Sequence, residues 1–277
     1  GVWGGPRRYR APPGPSWAKM KTPRPQRSAG RSVLAKNAAD TMQNPFESDP
    51  ADGNGPVLRP KDAAALVLVR RSGDHARVLM GERSARHAFL PGRLVFPGGR
   101  LDVADQRLTV ETDLRPEVRI KVAAGTTTSR ARGLALAAVR ETFEEAGILV
   151  GKKESAEVRT RAATWRRFFS YGVSPRLGAL DFVAGAITPP ARPRRFDARF
   201  FMTDASEIAA ELDQSNASGE LLKPVWLTLA EARAADVLPI TRCVLDEVEA
   251  RLKGLRDPSG PVPFFIPRRG KAVILGL

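Results

Sequence analysis

The chain has one cysteine, Cys243, in 277 residues. That excludes an internal disulfide and suits a reducing compartment. No apolar run reaches the roughly eighteen residues that a helical membrane span needs, and no internal repeat points to a solenoid. The last residues, Ile274-Leu275-Gly276-Leu277, do not form an SKL-type address. None of the 30 Asp and Glu falls in residues 1–39, which hold nine of the 45 Lys and Arg among many Pro and Gly. Much of the net charge of +15 therefore belongs to this tail, and the remainder is nearer balance, with 36 basic against 30 acidic residues.

The tail has no apolar periodicity and reads as disordered. Its charge would touch nucleic acid or an anionic surface nonspecifically, with an affinity that falls steeply with salt and needs residues 1–41. It carries no nucleic-acid-binding motif, so no specific nucleic-acid partner is expected. An Arg-rich, acid-free start also fits a transit peptide, although its prolines oppose an amphipathic helix. A cytoplasmic setting is otherwise expected. Because the chain opens on Gly1, translation is expected to start at Met20 or Met42; an intact mass that includes Gly1 would overturn this. At roughly 150 residues per domain, one large domain or two small ones are expected. We divide the chain into a basic Pro/Gly-rich region, 1–59, and a folded domain, 60–277.

The domain is organised around Arg140-Glu141-Thr142-Phe143-Glu144-Glu145-Ala146-Gly147-Ile148, which follows a proline-free run from Leu134 to Val139 that reads as a helix. At 100° per residue, Glu141, Glu144 and Glu145 share one face, and Leu136, Val139, Phe143 and Ala146 share the opposite, core-directed face. Three carboxylates on one face repel one another by a few tenths of a kcal/mol per pair, on the order of what a surface helix avoids. A hard divalent cation such as Mg²⁺ or Mn²⁺ would compensate them. For a bare ExxEE, a solvated acidic face is the simpler account.

About forty residues upstream stands Phe96-Pro97-Gly98-Gly99-Arg100-Leu101-Asp102. Taken together, the two stretches resemble the Nudix box, G-x5-E-x7-R-E-U-x-E-E-x-G-U with U aliphatic. Gly99 fits the first Gly and Arg140 to Ile148 fit the second half. Asp105 stands at the first Glu, Thr142 replaces an aliphatic residue, and the seven-residue spacer has grown to the 34 residues between Asp105 and Arg140. We expect this insertion, about 106–131, to be a loop, since closure entropy grows slowly with length. It alternates charge with Leu, Val and Ile, and suits a lid or a surface excursion equally.

A second motif overlaps the first. Leu79-Met80-Gly81-Glu82-Arg83-Ser84, Gly92 and Phe96 to Gly99 resemble the signature of Nudix enzymes acting on coenzyme A, L-L-T-x-R-S-x3-R-x3-G-x3-F-P-G-G, in register from Arg83 to Gly99. Gly81 replaces the Thr, and Ala88, beside Arg86 and His87, replaces the second Arg. Phe89-Leu90-Pro91-Gly92, the insertion and TPPARPRRFDARFF are similar to stretches of the acyl-CoA diphosphatase branch. Arg194 and Arg195 in the last stretch suit phosphates because guanidinium binds them bidentately; they suit a solvated loop equally well.

Elsewhere, Ala63 to Val69 and Val78 to Met80 read as a hairpin of strands around the turn Arg71 to Asp74, and Leu94 to Phe96 leads into a Pro97-Gly98-Gly99 loop. Glycine there would let backbone approach a phosphate or metal. Trp165 to Phe169 reads as a helix with aromatics in the core and Arg166 and Arg167 outside. Ala179 to Ile187 reads as a strand, Glu207 to Leu212 as a short helix, Ser218 to Glu220 as a turn, and Leu221 to Leu227 as a strand. Thr228 should cap the following helix. A last helix should run from about Thr241 to Leu252, with Cys243 a packed core thiol rather than a nucleophile, and Pro263 to Ile266 should pair with Ala272 to Leu275.

The resemblance implies an α/β (α+β) fold, a Nudix-type α/β/α sandwich with a mixed β-sheet. It implies a hydrolase that uses Mg²⁺ or Mn²⁺ to attack the diphosphate of CoA or acyl-CoA, giving 3′,5′-ADP and (acyl-)4′-phosphopantetheine. Under it, Glu144 and Glu145 bind metal, Glu141 is a further ligand or the general base, and the Gly98 carbonyl completes the shell. Arg140 orients the glutamates, and Arg83, Gly99, Arg194 and Arg195 meet substrate. A further carboxylate from outside the box is Glu220, or second Glu211. ADP-ribose, NADH or an oxidised nucleotide are alternative substrates, and a catalytically silent ligand-binding module is an alternative role.

Overall fold

The structure is a computed structural model that describes residue 46 and residues 58–72, 75–84, 92–154, 160–190, 192–213, 218–257, 259–268 and 271–277. The N-terminal region apart from Phe46, Leu58 and Arg59, the Gly73-Asp74 part of the first turn, and residues 85–91 of the second motif lie outside them.

The densest apolar run becomes β1 (Lys61–Ser72). Alternation explains why it is apolar throughout: Ala64, Leu66 and Leu68 enter one core, while Val67 and Val69 enter another. A strand covered on both faces has no solvent side to mark with polar residues. There follow β2 (His75–Arg83), β3 (Leu94–Val95), β4 (Gly98–Arg100), α1 (Val103–Arg107), α2 (Pro116–Val122) and α3 (Thr128–Ala146). Next come β5 (Ile148–Val150), β6 (Lys152–Lys153), α4 (Ala163–Phe169), β7 (Val173–Ser174), β8 (Asp181–Ile187), β9 (Phe196–Asp204) and β10 (Ile208–Glu211). The chain ends with β11 (Leu221–Thr228), α5 (Leu229–Ala234), α6 (Pro239–Leu252), β12 (Pro263–Arg268) and β13 (Lys271–Gly276).

The main sheet runs β11-β2-β1-β9-β8-β12-β13, with β3 on β2 and β4 on β1. It is mixed, because β1 with β9 and β8 with β12 are parallel while the other pairs are antiparallel. On one face lie Leu134 to Ala146 of α3 with Val118, Val122, Trp165 and Phe168. On the other lie Cys243, Val244, Leu245 and Val248 of α6. This is the expected three-layer arrangement with a mixed sheet. The hairpin of β12 and β13 forms, and Thr228 caps α5 in a capping box with Glu231.

Four expectations are corrected. The Pro97-Gly98-Gly99 stretch is not a loop: Gly98 and Gly99 pair antiparallel with Ala65 and Ala64 of β1. A Cβ on Gly98 would sit 2.6 Å from the Ala64 carbonyl oxygen, so glycine here allows close backbone packing within the sheet. The insertion is partly helical and packed rather than a loop. Leu114, Val118 and Val122 are buried at helical spacing, Leu108 packs with them, and α3 already begins at Thr128, capped by Thr127. Residues 208–211 are a strand paired with β5, not part of a helix. The last helix starts earlier than expected, at Pro239, where proline's fixed φ suits the first turn.

Candidate active site

The site is built where α3 crosses β4. The acidic face of α3 is largely covered: Glu145 is 5% exposed, the Glu141 side chain 13% and the Glu144 side chain 28%. What covers it is the glycine strand. The Gly98 amide donates to Glu145 Oε2 at 2.9 Å, and a Cβ on Gly99 would overlap the Glu141 carboxylate. The contact recorded for Gly98 is thus through its N–H. Gly147 ends the helix in the left-handed conformation at φ 68°, where its N–H bonds the Phe143 carbonyl.

Arg140 is buried beside these carboxylates, and all five of its N–H donors are engaged. Nε and Nη2 donate to Asp105 Oδ1 and Oδ2 at 2.9 and 3.0 Å. Nη1 donates to Glu141 Oε1 at 2.9 Å and Glu144 Oε2 at 2.7 Å, and Nη2 also donates to the Arg100 carbonyl at 2.9 Å. No donor remains for a ligand. Burial pulls the Arg140 pKa down, but the Asp105 bonds and the surrounding carboxylates outweigh it and hold the group above its ordinary value.

Asp105, at the position of the first Glu in the box pattern, is fully buried. Besides Arg140 it accepts from the Trp165 indole N–H and the Asp102 amide, each at 2.9 Å. The shorter side chain reaches because it sits on α1, whose capping box with Asp102 turns it inward. Thr142, the other departure within the helix, is also buried, and its hydroxyl donates to the Ala138 carbonyl at 2.8 Å. Gly81, in place of the signature Thr, leaves room for the Leu221 side chain packed against it.

Helix α4 forms a wall that sequence spacing did not reveal. Thr164 donates to Glu144 Oε1 at 2.5 Å, Trp165 holds Asp105, and Arg167 reaches into the acidic cavity with its guanidinium 5.3 Å from the Phe143 ring centre. Edge-on contacts of Phe168 with Phe143 and Trp165, at 5.4 and 5.3 Å, lock α4 to α3. Arg167 is exposed, as expected, and also lines this cavity. Its position follows from tertiary packing of α4, and no motif marks it.

A cavity of about 290 Å³ is lined by Glu141, Glu144, Glu145, Glu220, Thr164, Arg167 and Ser218. Glu220 is therefore brought to the box glutamates. Glu211 is not: it pairs with Arg70 at 2.9 Å. Arg83 lies near enough to Glu145 to stabilise its charge, and its buried Nε has no hydrogen-bond partner among the described residues. Arg194 and Arg195 do not line the cavity. Arg194 is exposed, and Arg195 donates to the Thr188 carbonyl at 3.0 Å and the Leu58 carbonyl at 2.5 Å.

Burial pushes the Glu141 carboxyl up to about 7; Arg140 opposes this and Glu144 adds to it. Burial likewise pushes Glu145 up to about 8, against the pull of the Gly98 N–H and reinforced by Glu141. Both shifts come first from burial, and the neighbouring carboxylates add to it while Arg140 and Arg83 oppose it. Among the described residues, no three Asp, Glu, His or Cys form a ready-made ion cage. The donor set still fits a hard divalent cation: it is all oxygen, in excess of its counter-charges, and partly dehydrated.

No protein-family model matches the sequence. Among solved structures, a NUDIX hydrolase from Alicyclobacillus acidocaldarius is similar at TM-score 0.53 and 23% identity, over 74% of this chain and 99% of that one. The NUDIX domain of Shewanella oneidensis NrtR, complexed with ADP ribose, aligns at TM-score 0.40 and 12% identity over 74% and 94%. A C. elegans Ap4A hydrolase aligns at 0.37 and 16% over 70% and 98%. From the first of these similarities, together with the layers and sheet described above, the chain has the fold of the Nudix hydrolases.

Proposed function

We propose that this chain is a divalent-cation-dependent hydrolase of a nucleoside diphosphate linkage, and that its substrate is CoA or an acyl-CoA. The observation that carries the reading is the convergence of Glu141, Glu144, Glu145 and Glu220 on one cavity beside an Arg140 with no donor to spare. A structural charge cluster would be neutralised; this one keeps a buried and a largely covered carboxylate with raised pKa values.

Glu141, Glu144 and Glu145 would hold Mg²⁺ or Mn²⁺, with Glu220 as the carboxylate from outside the box. When bound, the ion polarises phosphoryl oxygens and makes hydroxide available from water near neutrality. Arg140 fixes Glu141 and Glu144 in place, and the Gly98 amide fixes one oxygen of Glu145 and leaves the other free. Water adds to a phosphorus of the diphosphate and the anhydride P–O bond breaks. A carboxylate of the cluster, Glu141 or Glu220, takes the proton released by water. Arg83 and Arg167, both beside the carboxylates, are placed to meet the substrate's phosphate oxygens. The CoA assignment is supported by the signature from Leu79 to Gly99, which puts Arg83 at this position.

The test is product analysis by HPLC after incubation with acetyl-CoA, ADP-ribose or NADH and Mg²⁺ or Mn²⁺, with Glu145→Gln alongside. Formation of 3′,5′-ADP from acetyl-CoA, lost in the variant, is the expected result. Cleavage of ADP-ribose or NADH alone would replace the CoA assignment. No cleavage across a nucleotide panel would make the chain a silent binding module.

A further inference from the structure

The three glutamates of α3 are not held by the same kind of contact. Glu145 is buried and accepts from the Gly98 amide, and Glu141 lies against Gly99, where a Cβ would overlap its carboxylate. Both are thus fixed by the backbone of β4. Glu144 is held by side chains instead, and its own side chain is 28% exposed. Arg140 Nη1, one turn earlier on the same helix, donates to Oε2 at 2.7 Å, and Thr164 Oγ1 on α4 donates to Oε1 at 2.5 Å. A bond to one oxygen alone leaves a carboxylate free to turn, because the last torsion of a glutamate side chain is soft. A second bond to the other oxygen, from a different element, removes that freedom. A carboxylate offers about four lone-pair sites, so Glu144 keeps acceptor capacity with its plane already set.

The donor is itself fixed. Trp165, the next residue, is fully buried and bonds Asp105 through its indole N–H, and Phe168 packs edge-on against Phe143. The β-branch of threonine further restricts χ1.

We propose that Thr164 is a positioning residue for the cation site: its hydroxyl holds the Glu144 carboxylate in the plane from which that group meets the ion. The inference rests on the cation-dependent reading above and adds to it a side chain from outside both sequence motifs. Energetically the bond is replaceable, since Glu144 is part-exposed and water can donate to Oε1 in its place. Positionally it is not, because a water brings no fixed geometry. Loss of the hydroxyl should therefore show in ion affinity and not in stability.

The experiment is Mn²⁺ titration of the full chain, followed by loss of the free-ion EPR signal, on the wild type, Thr164→Val and Thr164→Ser. Thermal melting of each metal-free protein runs alongside. Thr164→Val should bind Mn²⁺ about tenfold more weakly than the wild type, the scale on which partners that orient metal ligands act. Thr164→Ser, which keeps the hydroxyl, should regain most of that affinity, and the three proteins should melt together. Equal affinity in the wild type and Thr164→Val would overturn the proposal. Tighter binding in Thr164→Val would overturn it too, by making the hydroxyl a competitor of the ion. So would a Thr164→Ser as weak as Thr164→Val, or an affinity loss matched by a lower melting temperature, since either reduces Thr164 to packing. A wild type that binds no Mn²⁺ would overturn the cation-dependent reading and the proposal with it, whereas the other outcomes leave that reading standing.

Discussion

Two helices cover opposite faces of the same sheet, and each buries a carboxylate in a different way. On α6, Glu247 is 1% exposed and is held by Arg251 and Arg256, each at 2.9 Å. On α3, Glu145 is 5% exposed and accepts only the Gly98 amide among the hydrogen bonds described. Burying charge costs several kcal/mol per ion unless partners repay it, as an order of magnitude. Glu247 has been repaid from within the chain. Glu145 has not, and its neighbours Glu141 and Glu220 raise its pKa further. The charge of Glu247 is compensated within the fold, while that of Glu145 would suit the cation proposed above.

The contrast is sharpest in paired substitutions. Glu145→Gln should cost on the order of a thousandfold in turnover while leaving the melting temperature of the metal-free protein unchanged or higher. Glu247→Ala should do the reverse. It strands two arginines and should cost about 3 kcal/mol of stability, with kcat retained below the new melting transition. Denaturant titrations and initial rates on both variants decide this, and equal stability losses would erase the distinction between the helices.

Gly99→Ala comes next. Its Cβ would displace the Glu141 carboxylate, and a misplacement of this kind costs about a hundredfold in rate. Circular dichroism should show a native fold, and a variant of full activity would mean that the carboxylate position is not critical. Trp165→Phe keeps the aromatic packing and removes one of four donors to Asp105. The expected losses are about 1 kcal/mol in stability and about tenfold in activity, through looser holding of Arg140.

The smallest expected effect is a pH slope. Glu141 and Glu145 have folded-state pKa values of about 7 and about 8, above the usual 4.5. The folded state therefore binds protons more tightly than the unfolded chain, and this contribution is complete below about pH 4.5. It is lost as pH rises through 7 to 8. Metal-free protein should melt at a lower temperature at pH 8.5 than at pH 6, by a margin that Glu145→Gln reduces. A pH-independent margin between wild type and variant would contradict the uncompensated charge.

Much of this was legible along the chain because it is written in periodicity. The apolar run of β1, the acidic and apolar stripes of α3 and the cap at Thr228 follow from spacing and side-chain chemistry. The buried stripe Leu114, Val118 and Val122 was in principle legible too, yet was masked by the expectation that an insertion in a spacer is a loop. Asp105 as the partner of Arg140 was harder, since the two are 35 residues apart and meet through α1 and its capping box. Arg167 and Thr164 carry no spacing signal, because α4 reaches the glutamates only through aromatic packing. Arg195 and Glu211 had the right chemistry in sequence and found other partners.

The sequence by itself determined which residue types could share a helix face or a strand face, because those periods are set by local backbone geometry. Only the tertiary structure decided which charges are compensated. That balance depends on burial and on partners distant in the chain, which separates Glu145 from Glu247 although both are glutamates on amphipathic helices.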